Sequence, residues 1–230
     1  TCALPIFLLS DGYLANGSEP WLLPDVSTLP DISTTFATEP NHVNETTGEP
    51  EHWPYVRDSE TLAREWALPG TPGLMHRIGG IEKEDGSGNI SYTPENHGHM
   101  VATRAAKVAG IATDITPLEV HGPANGELLV LGWGSTYGAI RSAVERLQAD
   151  GRSVAHAHLR HLNPFPANTE EVLRSYRRVL IPEVNLGQLL MLVRAKYLID
   201  AIGYDKVRGK PFRIAEIVEE AERILAEPYA

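Results

Sequence analysis

Residues 127–151 read ELLVLGWGSTYGAIRSAVERLQADG, and three patterns follow one another in this run. Leu128–Leu131 is a short apolar segment of the kind that is buried on both faces of a parallel sheet. Gly132 and Gly134 favour a tight turn. Apolar residues then recur at helical spacing, at Ile140, Ala143, Val144 and Leu147. The run therefore predicts a strand, a glycine turn and a helix, with Gly151 as the C-terminal cap of that helix.

The C-terminal half continues the same alternation of strand and helix. We expect further strands at residues 153–159, 179–181 and 204–207. Between them, Asn168 with Glu171 three positions later indicates a helix that leads through Tyr176. A last amphipathic helix is expected at Ile214–Leu225. Strands and helices that alternate through short turns predict an α/β fold with a doubly wound parallel sheet.

The helix predicted after Asn185 is apolar almost all round. Its apolar residues cover more than one stripe, at Leu186, Leu189, Leu190, Leu192, Val193, Tyr197 and Leu198. Such a helix is buried between layers or lies at a subunit interface. Glu183 precedes it at the end of the third strand, where α/β sheets collect their ligands. For Glu183 we favour a structural role, which combines capping with a domain contact, and Asn185 could cap the helix that follows.

The N-terminal half has a different character. Residues 19–73 are rich in Pro, Thr, Glu and Asp and show little periodicity, which predicts a long irregular segment that wraps another surface. Leu4–Leu9 is predicted to be a strand that ends in a turn at Asp11. A helix is expected from about Met100 to Gly110, and residues 111–126 are interpreted as a linker because Pro and Gly interrupt any periodic pattern.

Charge, apolar run length and cysteine content exclude several classes of function. The 230 residues carry a net charge of −10, with 17 acidic and 6 basic residues in 1–120 but 13 acidic and 14 basic residues in 121–230. Neither half has the basic excess of a nucleic-acid-binding protein, and no apolar run approaches the roughly 20 residues that span a bilayer. We therefore expect a cytoplasmic protein with no nucleic-acid or membrane partner. The single cysteine, Cys2, excludes an internal disulfide or a cysteine-held cluster within this chain.

The densest polar cluster of the sequence lies between residues 72 and 99. A histidine there can transfer protons near neutral pH, and an arginine can hold a carboxylate through two hydrogen bonds. We predict that His76 and Arg77 are catalytic. Asp11, in a turn typical of a ligand-binding sheet edge, is predicted to bind a cofactor together with Asn96 and His97. Hydrogen bonds that anchor a loop are the alternative role for the cluster.

Two other motifs are weaker. The glycines of Gly132-Trp-Gly-Ser-Thr-Tyr-Gly138 depart from the dinucleotide spacing, and no acid follows the second strand, so we interpret them as a packed turn. His156 and His158 alternate on one strand and therefore share a face, but no third ligand is fixed beside them. We predict no metal site, and interpret these histidines as hydrogen-bonded or surface residues.

Five blocks, in the same order, resemble the alpha subunit of 2-oxoglutarate:ferredoxin oxidoreductases. They are Leu8–Trp21, Gly70–Lys83, Leu131–Gly138, His158–Pro166 and Pro182–Gln188. The resemblance covers nearly the whole chain and implies that it is the C-terminal portion of such a subunit. Residues 1–120 would then be the end of a thiamine-enzyme pyrimidine-binding domain, and residues 121–230 a transketolase-C-terminal-like domain.

The resemblance also implies an activity. The family decarboxylates a 2-oxo acid oxidatively with thiamine diphosphate, transfers the acyl group to coenzyme A and passes electrons to ferredoxin. In this type of enzyme the diphosphate, Mg²⁺ and a [4Fe–4S] cluster belong to a beta subunit, with which the alpha subunit forms a heterodimer. The family's Tyr-Pro-Ile-Thr-Pro and Arg-Gly-Gly-Pro-Ser-Thr motifs would lie upstream of Thr1, so we expect no activity from this polypeptide alone.

Several alternatives stay open at this stage. The chain could serve an oxidoreductase that acts on another 2-oxo acid, or a transketolase-like thiamine enzyme. It could also be a non-catalytic assembly module that only binds its partner. A nicotinamide-dependent dehydrogenase would require saturable NAD(H) binding, which we do not expect from the glycine spacing.

Overall fold

A computed structural model describes residues 7–10, 16–18, 20, 22–31 and 34–228. The chain divides into two compact units, residues 1–107 and 108–230. The assignment of residues 1–120 and 121–230 to two named domains remains a prediction. Within the described ranges, no helix is both long enough and apolar enough to cross a membrane.

The first unit is largely irregular. Strand β1 (His42–Val43) pairs with the antiparallel strand β2 (Pro50–Glu51), and one isolated bridge joins Phe36 to Trp66. Helix α1 spans Pro94–Gly110, so it begins six residues before the predicted start at Met100. Loops held by few pairings are typical of a segment whose prolines and polar residues cannot form a continuous sheet.

The predicted first strand is wrong for the part of it that the structure describes. Phe7, Leu8 and Leu9 form no strand, and their exposed fractions lie between 79% and 94%. Residues 4–6 lie outside the described residues, as does Asp11. An apolar run becomes a strand only where a neighbouring strand accepts its backbone hydrogen bonds, and the described residues place none beside 7–9.

The second unit contains a five-stranded sheet of order β3-β5-β4-β6-β7. Its strands are β3 (Val120–His121), β4 (Gly126–Trp133), β5 (Val154–Leu159), β6 (Tyr176–Glu183) and β7 (Ile202–Asp205). Strand β4 lies at the centre, and β5, β6 and β7 run parallel to it and to one another, while β3 pairs antiparallel with β5. The predicted parallel sheet is confirmed, and the predicted linker at 111–126 is wrong where β3 forms the sheet edge.

Four helices cover the two faces of this sheet. They are α2 (Tyr137–Ala149), α3 (Thr169–Arg174), α4 (Gln188–Tyr197) and α5 (Ile214–Ala226). Leu128 and Val130 of β4 pack in a cluster with residues of α2 and α5, whereas Leu129 and Leu131 pack with residues of α3 and α4. All four β4 side chains are fully buried, which explains why this strand is a continuous apolar run.

Three local predictions shift in the structure. Tyr176 begins β6 instead of continuing the preceding helix, because α3 ends at Arg174 after six residues. The strand predicted at 204–207 lies two residues earlier, at 202–205. Asn168 precedes α3 as predicted, but its side chain makes no capping bond; it instead donates to the Leu118 carbonyl (3.0 Å) and accepts from the Leu118 amide (2.7 Å).

Candidate functional site

Two adjacent cavities open at the carboxyl ends of β4 and β5. Their volumes are about 510 and 490 Å³, and Tyr137, His158 and Arg160 line both. The first is lined further by polar residues that include His121, Arg141, His156 and His161. The second is lined by Trp133, Gly134, Leu159 and Leu162 as well. In open α/β sheets this is the edge where ligands bind.

A buried carboxylate closes the crevice between β4 and β6, where the strand order reverses. Glu183 is fully buried and accepts hydrogen bonds from the Trp133 indole (3.0 Å) and from the backbone amides of Leu189 (2.8 Å) and Leu190 (3.0 Å). It therefore satisfies amides of the first turn of α4, where a negative charge is also favoured by the helix dipole. The predicted capping is confirmed, since Asn185 Oδ1 also accepts from the Gln188 amide (3.0 Å), and the predicted domain contact stays a prediction.

Two glycines at the end of β4 and in the turn that follows are required for different reasons. A Cβ on Gly132 would lie 2.7 Å from Ile140 Cδ1 and 2.9 Å from His158 Nδ1, so no side chain fits there. Gly134 has a φ of +58°, which is costly for other residues. Residues of α2 and β5 thus approach Gly132 closely, which agrees with the interpretation of this glycine segment as a packed turn.

His156 and His158 share a face of β5, as their alternation predicted. The Tyr137 ring stands over both, with ring centroids 5.4 Å from His156 and 5.0 Å from His158. His156 Nε2 and His158 Nδ1 are buried and have no hydrogen-bond partner among the described residues. For His156 the interpretation as a hydrogen-bonded or surface residue is therefore wrong at Nε2, because β5 is an inner strand and this side chain is buried despite its polarity. His158 is only partly buried.

Burial also sets the charge of this pair. It lowers the pKa of His156 from 6.5 to about 3, with smaller contributions from His158, Arg141 and His121 nearby. Burial likewise lowers the pKa of His158, partly opposed by a hydrogen bond with the Gly134 backbone. Both rings are therefore neutral near pH 7, and each presents one N–H donor and one acceptor nitrogen.

Basic side chains stand at the rim of the first cavity. Arg141 donates to Glu145 at 2.7 Å, and His121 Nε2 lies 3.7 Å from the same carboxylate. Arg160 is exposed and makes no ion pair with any described residue. The arrangement combines neutral imidazoles, a phenol and two guanidinium groups, which suits recognition of an anion.

The predicted catalytic residues lie in the first unit. His76 is half-buried; its Nδ1 lies 2.7 Å from the Leu74 carbonyl oxygen, and its ring meets the buried His52 ring edge-on at 5.3 Å. Because a carbonyl can only accept, Nδ1 carries the proton and Nε2 is left as a proton acceptor. Arg77 is exposed.

The predicted cofactor residues that the structure describes hold a loop in place. Asn96 donates to the Lys83 carbonyl (2.8 Å) and accepts from the Asp85 amide (3.0 Å). His97 Nδ1 is hydrogen-bonded to Glu82, and this contact holds the pKa of that carboxyl below its usual value. These contacts tie residues 82–85 to the start of α1. They support the loop-anchoring alternative for Asn96 and His97, and no hydrogen bond within the described ranges joins them to His76 or Arg77.

Sequence reasoning did not find Tyr137, Arg141 and Trp133. Tyr137 and Arg141 are four residues apart on α2, so they share a helix face, and that spacing is visible in the sequence. What the sequence could not show is that β5 brings His156 and His158 under the same face.

The second unit matches a known protein family. The model described as pyruvate:ferredoxin oxidoreductase core domain II matches residues 126–214, which include every strand from β4 to β7. The 2-oxoglutarate oxidoreductase subunit KorA of Mycobacterium tuberculosis is 55% identical over 214 residues, covering 93% of this chain and 31% of the relative. Over most of its length this chain is therefore similar to alpha subunits of the 2-oxoacid:ferredoxin oxidoreductases.

Two further matches point to the same kind of protein. The 2-oxoglutarate synthase subunit KorA of Methanocaldococcus jannaschii is 26% identical over 216 residues, covering 93% of this chain and 54% of the relative. A solved 2-oxoglutarate:ferredoxin oxidoreductase from Magnetococcus marinus, with 2-oxoglutarate, coenzyme A and succinyl-CoA bound, superposes with a TM-score of 0.70 at 29% identity. That match covers 80% of this chain and 32% of the solved one. The chain thus spans about a third of the length of the mycobacterial and Magnetococcus proteins.

Proposed function

We propose that this chain is part of the alpha subunit of a thiamine diphosphate-dependent 2-oxoglutarate:ferredoxin oxidoreductase. The complete enzyme would convert 2-oxoglutarate and coenzyme A to succinyl-CoA and carbon dioxide, and reduce ferredoxin, in the cytoplasm. The observation that carries the proposal is 55% identity to a mycobacterial 2-oxoglutarate oxidoreductase subunit over 93% of the chain. A solved relative with 2-oxoglutarate and coenzyme A bound supports it.

The described residues do not fit the metal groups that this chemistry uses. Among them, no set of three or more His, Cys, Asp or Glu side chains could hold a metal ion. The chain contains one cysteine, whereas a [4Fe–4S] cluster needs four protein ligands. We therefore assign thiamine diphosphate, Mg²⁺ and the cluster to a beta subunit, and ferredoxin to the assembled heterodimer as its electron acceptor.

Within this proposal the two units have different roles. The first unit, which lies within residues 1–120, the proposed end of the pyrimidine-binding domain, supplies His76 and Arg77 to the active cleft. His76 would accept or return a proton at Nε2, because its Nδ1–H is held by the Leu74 carbonyl. Arg77 would hold a substrate carboxylate through its guanidinium group. Asn96 and His97 keep the neighbouring loop in position.

A second role, in subunit assembly, is favoured by one observation. Apolar side chains around α4 are exposed by 47% to 85%, at Leu186, Met191, Leu192 and Leu198. The opposite stripe of the same helix is buried against the sheet. The helix is therefore apolar on both sides, as its sequence predicted, and its outer side would be covered by the partner subunit.

Reconstitution tests the proposal. The complete alpha subunit and its cognate beta subunit are purified separately and together, and ferredoxin reduction is followed in the presence of 2-oxoglutarate and coenzyme A. We expect turnover only from the pair, and only with both substrates present. A pair that reduces ferredoxin with pyruvate but not with 2-oxoglutarate would contradict the substrate assignment. A stable pair with no turnover on any 2-oxo acid would leave assembly as the role of the chain.

A further inference from the structure

The cavity at the end of β5 is unusual in its composition. We name it the histidine pocket and define it by Tyr137, Arg141, His156, His158 and Arg160. The first cavity, which contains it, is lined in all by four of the chain's nine histidines and by two arginines, with Glu119 as the one acid. The whole chain carries a net charge of −10, whereas the lining of this cavity contains more arginines than acids.

Buried nitrogens in the pocket lack partners. His156 is exposed by only 2%, and its Nε2 has no hydrogen bond among the described residues; His158 Nδ1 is also buried and unpaired. An unsatisfied buried polar atom is costly, so native proteins rarely keep one without a bound water or ligand. Both nitrogens belong to side chains that line the same cavity.

Two arginines line the same cavity as these nitrogens. Arg141 is fixed on α2 by its bond to Glu145, and Arg160 follows β5 at the wall that both cavities share. Arg160 makes no ion pair in the described part of the chain and is exposed, so it is available to an incoming anion. The 13-residue helix α2 begins at Tyr137 and directs its positive end to the same edge.

We propose that the histidine pocket binds the phosphate group of a small phosphorylated ligand. Donors reach the cavity from β5, from α2 and from the loop after β5. A tetrahedral phosphate has enough oxygens to accept from all of these directions, whereas a planar carboxylate has two. The second cavity, lined by Trp133, Leu159 and Leu162, lies beside the first and accommodates the apolar or ring portion of the ligand.

Binding to the assembled alpha and beta subunits tests this inference. Isothermal titration calorimetry is carried out with inorganic phosphate, with AMP and with coenzyme A. AMP and coenzyme A both carry phosphate, and the one whose binding Arg160→Gln weakens identifies the source of the group. We expect saturable binding of phosphate at millimolar concentration and tighter binding of AMP or coenzyme A. Arg160→Gln should weaken the binding of phosphate about tenfold, because it removes one charge-assisted interaction.

Matched variants make the result specific. Arg177→Gln removes an exposed arginine of β6 that lines neither cavity, and should leave the affinity for phosphate unchanged. His156→Phe removes the unpaired nitrogen and should also weaken binding. If His156→Phe does not fold, the exposed Arg160 still decides the question.

Two outcomes would overturn the inference. One is the absence of saturable phosphate binding to the wild-type complex. The other is an equal loss of affinity in Arg160→Gln and Arg177→Gln, which would reveal only general charge attraction. Turnover is measured on the same preparations, so a pair that reduces ferredoxin without binding phosphate would overturn this inference while leaving the proposed function intact.

Discussion

Glu183 shows how much structure one side chain can hold. Its carboxylate joins the indole of Trp133, the last residue of β4, to the side-chain amide of Asn185 and to backbone amides in the first turn of α4. All four partners donate, so the site suits an ionised acid that can only accept. Charge-assisted hydrogen bonds of this kind are the stronger ones in proteins, and the burial of the group makes each of them costly to lose.

Glu183→Gln tests this arrangement at constant shape. The amide NH₂ of glutamine would face at least one N–H donor, so we expect the free energy of unfolding to fall by about 1–3 kcal/mol. Urea denaturation of the chain measures the change. Glu170→Gln, on the exposed side of α3, is the control and should change stability by less than about 0.5 kcal/mol. Equal effects of the two substitutions would show that Glu183 contributes no more than a surface acid.

His156 predicts a pH dependence of stability. Its pKa is about 3 in the folded chain and 6.5 as the ordinary value, so the unfolded state binds the proton first. Stability from this group is therefore fully present above pH 6.5 and declines as the pH falls from 6.5 towards 3, by about 1.4 kcal/mol for each pH unit. Unfolding measured between pH 7 and pH 5 should show this slope.

His156→Phe should reduce that slope, because phenylalanine has no group to protonate. His161→Phe changes an exposed histidine at the same cavity and serves as the control, with the slope of the wild type. A wild-type slope that persists in His156→Phe would assign the dependence to another group, of which His158 is the first to examine since burial lowers its pKa too.

At the level of elements, the sequence predicted what is periodic and missed what depends on neighbours. Strand β4 and helix α2 were predicted closely because Leu128–Leu131 and Ile140–Leu147 have strong local patterns. Strand β3 has two residues and exists only because β5 lies beside it, so no local pattern could reveal it. The opposite error occurred at residues 7–9, where an apolar run finds no partner strand in the described chain.

The glycine turn offers a test of element packing with an internal control. Gly132→Ala would place a Cβ 2.7 Å from Ile140 Cδ1 and 2.9 Å from His158 Nδ1, which forces α2 away from β5. We expect a loss of about 1–3 kcal/mol in the free energy of unfolding. Gly138→Ala lies in the first turn of α2, where nothing stands within 4 Å of the new methyl group.

Gly138→Ala should therefore leave stability unchanged or raise it by up to about 1 kcal/mol, because alanine favours a helix over glycine. Thermal unfolding of both variants beside the wild type gives the comparison. If the two substitutions shift stability in the same direction by the same amount, the close approach of α2 to β5 is not what requires glycine at residue 132.

For the molecule as a whole, the fold could be predicted further than the sites. The alternation from β4 to α5 fixes a doubly wound sheet and the edge at which ligands bind. The histidine pocket needed the structure, because His156, Tyr137 and Arg141 come from different elements and converge only when α2 packs on β5. In the first unit, Asn96 and His97 were grouped with His76 by sequence proximity, but their hydrogen bonds go to residues 82–85 instead.

Because Asn96 and His97 bond to residues 82–85 and not to His76 or Arg77, the last prediction concerns His76 and Arg77 alone. It rests on the proposed function. In the complete alpha subunit paired with its beta subunit, His76→Ala and Arg77→Ala should each lower the turnover of 2-oxoglutarate at least about tenfold, as expected for a lost proton acceptor or carboxylate contact. The yield of assembled heterodimer should not change, because Arg77 is exposed and His76 makes one local hydrogen bond. His99→Ala, an exposed histidine of α1 that pairs with Asp85, is the matched control and should retain turnover. Loss of assembled protein in the His76 and Arg77 variants would instead assign both residues to loop anchoring, as the contacts of Asn96 and His97 already indicate for their neighbours.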